Sequence, residues 1–400
     1  MINEVVMVSA CRTAIGDFMG SLKDLKANDL SAITATEALK RAGIQPEMVD
    51  SLVLGMCLHH GNDSGPARQV AMAIGMRHSS WACMVNQNCA SAMRALEIAA
   101  NELMLGKSEI SLVVGTESMT NVPYILRKAR FGYRLFDGDK AEDAMICDGL
   151  FDKMVPGHMA ITAENVAEKY GITREECDEL ALLSHTRALK ANAEGIFARE
   201  IVPVEIKTKK GVKVVDKDEH PMDTSLEKLA QLPPVFKKGG VVTAGNASGI
   251  NDGSAAAVLM TKKKAEELGI KPLMKLLYVC SEGVDPKFMG LGPAVAIPKV
   301  LNKAGLKFED VEYWEINEAF AAQWLGVGRM LKEDFGIELD LDKVNHNGSG
   351  IGLGHPVGCT GLRIQVSMYY EMERLGLTIG GASLCVGGGP AMAALWTRDI

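Results

Sequence analysis

The stretch VNQN at residues 85–88 returns as VNHN at residues 344–347, and SLVVG at 111–115 returns as SLCVG at 383–387. The first pair is 259 residues apart and the second is 272 apart, so the later copy is 13 residues longer between its landmarks. Two short matches can arise by chance, but their shared order and similar surroundings favour a duplicated domain. A loop that contains His355 lies in the longer interval of the second copy.

Apolar runs rich in strand-forming residues alternate with helical patterns in both halves of the chain. The first half has EVVMVSA, SLVLGMCL and ISLVVGT as strands, with helices in DLSAITATEALKRAG and after Cys89. The second half has LMKLLYVCSEG, VEYWEIN and GGASLCVGGG as strands, with helices in AVAIPKVLNKAG and AFAAQWLGVGRMLKEDFG. This alternation predicts an α/β protein with a mainly parallel sheet.

Residues 121–240 differ in character from the two halves. They contain the charged, irregular stretches RKARFGYRLFDGDKAED and KTKKGVKVVDKDEHP, with amphipathic helical patterns between them. We interpret the segment as an insertion that closes over a site on the duplicated core. A plain surface excursion or an oligomer contact fits the composition equally well.

Composition and charge bound the class of protein. The 400 residues are 47% hydrophobic, which is enough for a large core and two or three domains, and the formal net charge is -7. This charge argues against non-specific nucleic-acid binding. The N-terminal stretch MINEVVMVSACRTAIG lacks the basic start and long apolar run of a signal peptide or membrane helix, so we expect a cytoplasmic protein without a membrane segment.

The nine cysteines include no C-x-x-C pair, so neither a disulfide framework nor a zinc site is expected. Two of them lie where a strand ends. Cys89 opens a long helix, where free N–H groups and the helix dipole should lower the pKa of a thiol, as a nucleophile requires. Cys385 precedes three glycines, whose backbone can approach a ligand closely. Each could instead be a buried structural cysteine.

Asn317 and His355 also lie beside predicted strand ends. Asn317 could simply cap the following helix, and His355 could be a structural histidine stiffened by Pro356. Taken together with the two cysteines, however, they form a set that suits one chemistry. A cysteine attacks an acyl carbon when an imidazole takes its proton, the oxyanion needs aimed donors, and a second cysteine can exchange a proton with a carbon acid. The set indicates acyl transfer with carbon–carbon bond chemistry.

At this level of detail the sequence resembles the thiolase family over nearly its whole length. Several long motifs carry the resemblance in the right order: RTAIG (12–16), PARQ (66–69), the Cys89 region, HMAITAENVAEKYGITREECDELAL (158–182), EIVPV (200–204), VVTAGNASGINDG (241–253), GVDPKFMGLGP (283–293), NEAFAAQ (317–323), GHPVGCTG (354–361) and CVGGG (385–389).

The resemblance implies a thiolase fold, with two duplicated α/β halves in a layered αβαβα arrangement and an inserted loop domain. The expected bounds are 1–120 plus 241–268 for the N-terminal half, 121–240 for the loop domain and 269–400 for the C-terminal half.

The resemblance also implies roles for the candidate residues. Cys89 is the nucleophile that becomes acylated, and Cys385 is the acid and base at the α carbon. His355 activates Cys89 and forms one oxyanion hole with a water held by Asn317. The backbone N–H groups of Cys89 and Gly387 form the other oxyanion hole.

Coenzyme A is expected as a substrate, with no other cofactor and no metal. It should lie against the loop domain, along residues carried over by motif position: Leu150, His158, Met159, Phe236, Ser248, Met289 and Phe320. Met159 and Met289 favour a short acyl group. A homodimer or homotetramer is expected. The direction of the reversible reaction, cleavage of 3-ketoacyl-CoA or condensation of two acetyl-CoA molecules, is left open.

Three other classes compete with this interpretation. A ketoacyl synthase or chalcone-synthase-like enzyme should lack the second catalytic cysteine, so Cys385 argues against it. A non-catalytic acyl-CoA or lipid carrier should have lost reactive groups, whereas all four are present. A nucleotide-dependent oxidoreductase should carry a glycine fingerprint such as G-x-G-x-x-G, which the glycine-rich loops lack.

Overall fold

A computed structural model describes residues 2–136, 138–209 and 211–400. The strands are β1 (Val5–Thr13), β2 (Gly16–Asp17), β3 (Ser51–Gly55), β4 (Trp81–Val85), β5 (Ile110–Ser118), β6 (Tyr124–Ile125), β7 (Glu142–Asp143), β8 (Phe151–Asp152), β9 (Gly157–His158), β10 (Ile201–Val202), β11 (Val204–Thr208), β12 (Gly211–Val215), β13 (Asn251–Thr261), β14 (Met274–Gly283), β15 (Tyr313–Ile316), β16 (Ile379–Cys385) and β17 (Pro390–Thr397). The helices are α1 (Ala27–Ala42), α2 (Pro66–Ala73), α3 (Ser91–Met104), α4 (Ala160–Tyr170), α5 (Arg174–Glu194), α6 (Leu226–Ala230), α7 (Lys262–Leu268), α8 (Gly292–Ala304), α9 (Ala321–Phe335), α10 (Gly350–Leu353) and α11 (Val357–Leu375).

The main sheet has the strand order β15-β16-β17-β14-β1-β13-β5-β3-β4. Its parallel pairings join β3 to β4 and β5, β15 to β16, and β1 to the short β10. Antiparallel pairings join β13 to β1, β2 and β5, β17 to β14 and β16, and β1 to β14. The prediction of a mainly parallel sheet is therefore wrong. β13 and β17, the last strands of the two halves, each pair antiparallel with two neighbouring strands. The pattern of residues along one strand does not show the direction of its neighbours.

The internal duplication is visible in the strand order. The first half reads β4-β3-β5-β13-β1, and the second reads β15-β16-β17-β14 with Val344 bridged in parallel to Trp314 at its outer end. VNQN and VNHN thus occupy equivalent positions at the outer ends of the two halves. SLVVG lies in β5, and SLCVG begins in the equivalent strand β16 and continues into the following loop. The two halves join at β1 and β14, where Val6 and Met7 pair with Lys275 and Met274.

Helices on both faces of each half give the layered arrangement. Along β5, Leu112 and Val114 belong to the apolar cluster that includes α1, whereas Val113 belongs to the cluster that includes α3 and α11. Helices α3 and α11 contact each other, and α11 contacts strands of both halves. α8 covers β14 and β17 on the outside of the second half. The two halves of the main sheet lie on either side of α3 and α11, so the order of layers is helix, first half of the sheet, helix, second half of the sheet, helix, which confirms the predicted fold class.

Between β5 and β13 the chain leaves the sheet for a long excursion. It forms the small hairpins β6–β7, β8–β9 and β11–β12 and the helices α4–α6, while β10 returns to pair with β1. The predicted domain boundaries at residues 120/121, 240/241 and 268/269 stay predictions.

Three further properties bear on the function. Within the described residues, no helix is long and apolar enough to cross a membrane. The same residues contain no group of three His, Cys, Asp or Glu side chains arranged to hold a metal ion. All nine cysteines are free thiols.

Candidate active site

Two central helices direct their N-termini toward one cavity. Cys89 lies between β4 and α3, two residues before the helix begins, and His355 lies two residues before α11. Cys385 is the last residue of β16. All three side chains line a largely enclosed cavity of about 50 Å³. The nucleophile and the base proposed from sequence thus come from equivalent positions in the two halves.

A second, apolar cavity of about 290 Å³ adjoins the first and shares part of its wall. The wall common to both is formed by Leu150, His158, Ser248, Phe320, His355 and Val357. Met159 and Met289 line only the inner cavity, and Phe236 lines only the outer one. The seven residues predicted to contact CoA therefore all lie along this pair of cavities.

The outer cavity is shaped by one contact within the insertion and one between the two halves of the core. The rings of His158 and Phe236 stack with centroids 4.3 Å apart. The N–H of Ser248 donates to the carbonyl of Ala319 at 2.9 Å, which ties its loop to the segment after β15. Burial lowers the pKa of His158, so the ring is neutral at pH 7 and suits an apolar wall.

Asn317 and Gly387 are not among the residues that line the two cavities. Asn317 is fully buried, and in the part of the chain that the structure describes neither its Oδ1 nor its Nδ2 has a hydrogen-bond partner. Helix α9 begins only at Ala321, so the alternative that Asn317 caps this helix is wrong. Gly387 follows Cys385 by two residues, and its carbonyl accepts a hydrogen bond from Asn88 Nδ2 at 3.0 Å. A Cβ at Gly387 would lie 2.2 Å from Met159 Cε, so any larger residue there would displace the Met159 side chain.

The thiol of Cys89 is protonated in the resting site. Burial raises its pKa to about 11, although the N–H groups of Gly387 and of Cys89 itself are directed at the sulfur and lower it. The expectation that the helix N-terminus lowers this pKa overall is therefore wrong, because desolvation outweighs the dipole. Burial also raises the pKa of the Cys385 thiol, so both sulfurs carry protons at neutral pH.

The imidazole of His355 is held in one tautomer. Its Nδ1 lies 2.6 Å from Thr360 Oγ1, and this hydroxyl donates to the carbonyl of Pro356 at 3.0 Å. With the hydroxyl proton donated to this carbonyl, we assign the proton of the ring to Nδ1, which leaves Nε2 with a free lone pair. Nε2 has no hydrogen-bond partner among the described residues, and burial together with the Arg363 charge lowers the pKa of His355 to about 3. The ring is a neutral base aimed into the cavity.

Comparison with known proteins agrees with this geometry. The sequence matches the N-terminal domain of thiolase over residues 5–263 and the C-terminal domain of thiolase over residues 270–398. The chain belongs to the thiolase family. It is 48% identical to an acetyl-CoA acetyltransferase of Syntrophomonas wolfei over 397 residues, with 99% of each chain covered.

Solved structures of similar sequence belong to the same family. This thiolase superimposes on an acetyl-CoA acetyltransferase structure from Syntrophomonas wolfei with a TM-score of 0.99, 67% identity and complete coverage of both chains. Human mitochondrial 3-ketoacyl-CoA thiolase in complex with CoA matches with a TM-score of 0.94 and 39% identity, covering 100% of this chain and 98% of that one. The chain is therefore an acyltransferase enzyme of the thiolase type.

Three residues of this thiolase site escaped the sequence analysis. Thr360 fixes the tautomer of His355, Asn251 Oδ1 accepts the backbone N–H of His355 at 2.9 Å, and the buried Glu117 accepts three backbone N–H groups. A carboxylate near the end of the apolar strand β5 is the one signal that could have marked Glu117, since a buried charge requires partners. Thr360 and Asn251 carry no such signal.

Replacing Thr360 by valine should slow acyl transfer. Valine has nearly the shape of threonine but no hydroxyl, so His355 Nδ1–H loses its acceptor and the tautomer with a free Nε2 is no longer favoured. We expect kcat for 3-ketoacyl-CoA thiolysis to fall about tenfold, with KM nearly unchanged. Steady-state kinetics on purified protein measure both constants.

Thr360→Ser is the matched control, because serine keeps the hydroxyl within reach of the ring. It should restore most of the activity. A Thr360→Val enzyme with the kcat of the wild type would contradict the assigned role.

Proposed function

We propose that this thiolase cleaves short 3-ketoacyl-CoA molecules with CoA, or condenses two acetyl-CoA molecules to acetoacetyl-CoA, through an acyl-Cys89 intermediate. One observation carries the proposal: two thiols and one unprotonated imidazole nitrogen meet in a small buried cavity that continues into an apolar channel. Names of the relatives, acetyl-CoA acetyltransferase and 3-ketoacyl-CoA thiolase, support the same chemistry.

In the first half of cleavage, the thiol of Cys89 transfers its proton to His355 Nε2 as the sulfur attacks the 3-keto carbon. The oxyanion that forms is stabilised by the N–H groups of Cys89 and Gly387. The bond between the α carbon and the former keto carbon then breaks, leaving the acyl group on sulfur. The acetyl-CoA enolate accepts a proton at its α carbon from Cys385.

During this step the enolate oxygen needs its own donors. Once protonated, His355 Nε2 can donate to it, and the unpartnered amide of Asn317 can hold a water for the second hydrogen bond. In the second half, CoA gives its thiol proton to Cys385 and attacks the acyl carbon. Cys89 leaves and regains its proton from His355, so the enzyme returns to its starting state.

Coenzyme A is proposed as a substrate rather than a resident cofactor. Its pantetheine arm would follow the outer cavity past the His158–Phe236 stack and Ser248, with Leu150 and Phe320 at the junction to the inner cavity. The apolar wall suits a thioester arm, and few polar groups are needed to orient it. The inner cavity is only about 50 Å³ and is lined in part by Met159 and Met289, so it favours a short acyl group.

We also propose a homodimer or homotetramer in the cytoplasm. The strand β4 stands at the edge of the main sheet with Trp81 exposed, and an unpaired edge favours pairing with another copy. Large apolar side chains are also exposed along the start of the insertion: Tyr124, Leu126, Phe131, Tyr133, Leu135 and Phe136. Such a patch is typical of an interface between subunits.

Incubation with acetoacetyl-CoA, with and without CoA, tests the proposal. We expect CoA-dependent loss of the ketoacyl thioester and an acetyl group on the peptide that contains Cys89, mapped by mass spectrometry. A series of longer 3-ketoacyl-CoA substrates should show falling kcat/KM as the acyl chain outgrows the inner cavity. Absence of turnover and of an adduct with every chain length would contradict the proposed function.

A further inference from the structure

The carboxylate of Glu117 joins the structural elements that carry the proposed nucleophile and base. We propose that Glu117 is a positioning residue for acyl transfer, which holds the N-terminus of α11 against the loop after β3 and so places His355 opposite Cys89. This inference rests on the proposed function. It adds a residue that touches neither the substrate nor the reacting atoms.

Glu117 is fully buried and accepts three backbone N–H groups. Its Oε2 accepts from Cys57 at 3.0 Å and from Gly358 at 2.8 Å, and its Oε1 accepts from Leu58 at 3.0 Å. A carboxylate with three such donors is well satisfied in the interior. The donors belong to opposite halves of the molecule, so the side chain acts as a bridge between them.

On the C-terminal side, the bridge reaches the helix that follows His355. Gly358 is the second residue of α11, and N–H groups in the first turn of a helix lack intrahelical acceptors. A negative charge there is also favoured by the helix dipole. A Cβ at Gly358 would lie 2.6 Å from the N of Cys57 and 2.7 Å from Glu117 Oε2, so glycine permits this close approach. His355 lies only three residues before Gly358, whose N–H donates to Glu117.

On the N-terminal side, the bridge continues to the loop that carries Cys89. The carbonyl of Cys57 accepts from Asn86 Nδ2 at 3.0 Å, and the Cys57 thiol lies 3.6 Å from Asn88 Oδ1. Asn88 directly precedes Cys89 and adopts a φ of 46°, a conformation that asparagine tolerates better than most residues. The position of Cys89 thus depends on the same 57–58 backbone that Glu117 holds.

The charge of Glu117 also reaches the sulfur. Burial raises the pKa of Glu117 to about 7, against the opposing effect of its three N–H donors, and Glu117 in turn raises the pKa of Cys89. Within the described residues, the other titratable groups that face this pair are His355, which lines the same cavity as Cys89, and Cys57, Cys359, Cys385 and Asp252. A neutral side chain at position 117 should therefore lower the pKa of Cys89, while a shorter acid should not.

Two substitutions separate position from charge. Glu117→Gln keeps the size but removes the charge and turns an NH₂ group toward at least one N–H donor. Glu117→Asp keeps the charge but withdraws the carboxylate by one methylene. Glu312→Gln is the matched control, because Glu312 also accepts two backbone N–H groups, from Thr378 and Ile379, at the end of β16 opposite Cys385.

Three measurements on each intact enzyme decide the matter: the rate of Cys89 acylation by acetoacetyl-CoA, the KM for that substrate, and the pH profile of Cys89 alkylation by iodoacetamide. We expect both Glu117 variants to acylate about tenfold or more slowly, with KM within about threefold of wild type. Only Glu117→Gln should shift alkylation to lower pH. Glu312→Gln should match the wild type in all three.

Acylation within about twofold of wild type in either folded Glu117 variant would overturn the inference, as would an equal slowing in Glu312→Gln. If Glu117→Gln does not fold, Glu117→Asp alone decides the positioning role through its acylation rate. A wild-type enzyme that is never acylated at Cys89 would instead contradict the proposed function.

Discussion

Cys89→Ser should abolish the acyl-enzyme and lower thiolysis by about a thousandfold or more. A serine hydroxyl is a far weaker acid than a thiol, and the base proposed to accept its proton is His355, whose pKa is lowered to about 3 by burial and by Arg363. Proton transfer to so weak a base is far less unfavourable from a thiol than from an alcohol, and the thiolate is also a good nucleophile. Rapid quenching followed by mass spectrometry of the 89-containing peptide measures the intermediate directly.

Cys280→Ser provides the control for this experiment. Cys280 is also buried, and its sulfur lies 3.8 Å from the carbonyl of Ala296, to which a serine hydroxyl can donate. This enzyme should keep its acylation rate. Normal turnover by Cys89→Ser would refute the assignment of the nucleophile.

Cys385→Ser should separate the two kinds of chemistry in the reaction. Burial raises the pKa of the Cys385 thiol, so it is neutral and ready to donate a proton to an enolate carbon, but serine is too weak an acid for that task. We expect carbon–carbon cleavage of acetoacetyl-CoA to fall by about a thousandfold. Acylation of Cys89 by a simple acetyl thioester should fall much less, since no carbon acid is formed.

The comparison uses one preparation and two substrates. Acetoacetyl-CoA reports cleavage, and a simple acetyl thioester reports transfer to Cys89. Equal losses in the two assays would show that Cys385 supports acylation itself and has no separate role at the α carbon. Cys280→Ser again serves as the control for a buried thiol.

Much of the fold follows from two short motifs that each occur twice, VNQN with VNHN and SLVVG with SLCVG. Their order predicted the duplication, and the longer second interval located the histidine loop, because seven of the 13 extra residues separate VNHN from the start of α11 at Val357. The pairing direction could not be predicted. β13 is a sequence-distant strand that enters between β1 and β5, and nothing in its own residues specifies its neighbours.

The site was predictable where residue chemistry is distinctive and not where it depends on packing. Cys89, His355 and Cys385 carry reactive groups beside glycines or helix starts, and they line one cavity. The protonation state of Cys89 was wrongly predicted, because burial at Cys89 depends on elements from both halves of the chain. Thr360 and Glu117 stayed hidden, because a hydroxyl in a helix and a carboxylate in a strand acquire roles only through distant partners.

Because α3 and α11 contact each other, the two copies bring different reactive side chains to one cavity. In the proposed mechanism one copy supplies the attacking sulfur of Cys89 and the other supplies the base His355, each two residues before a helix. A symmetric pair of identical copies would instead offer two sulfurs or two imidazoles at that point. Because both copies belong to one polypeptide, each helix start can carry its own residues, so the duplicated architecture can hold a cysteine before one helix and a histidine before the other.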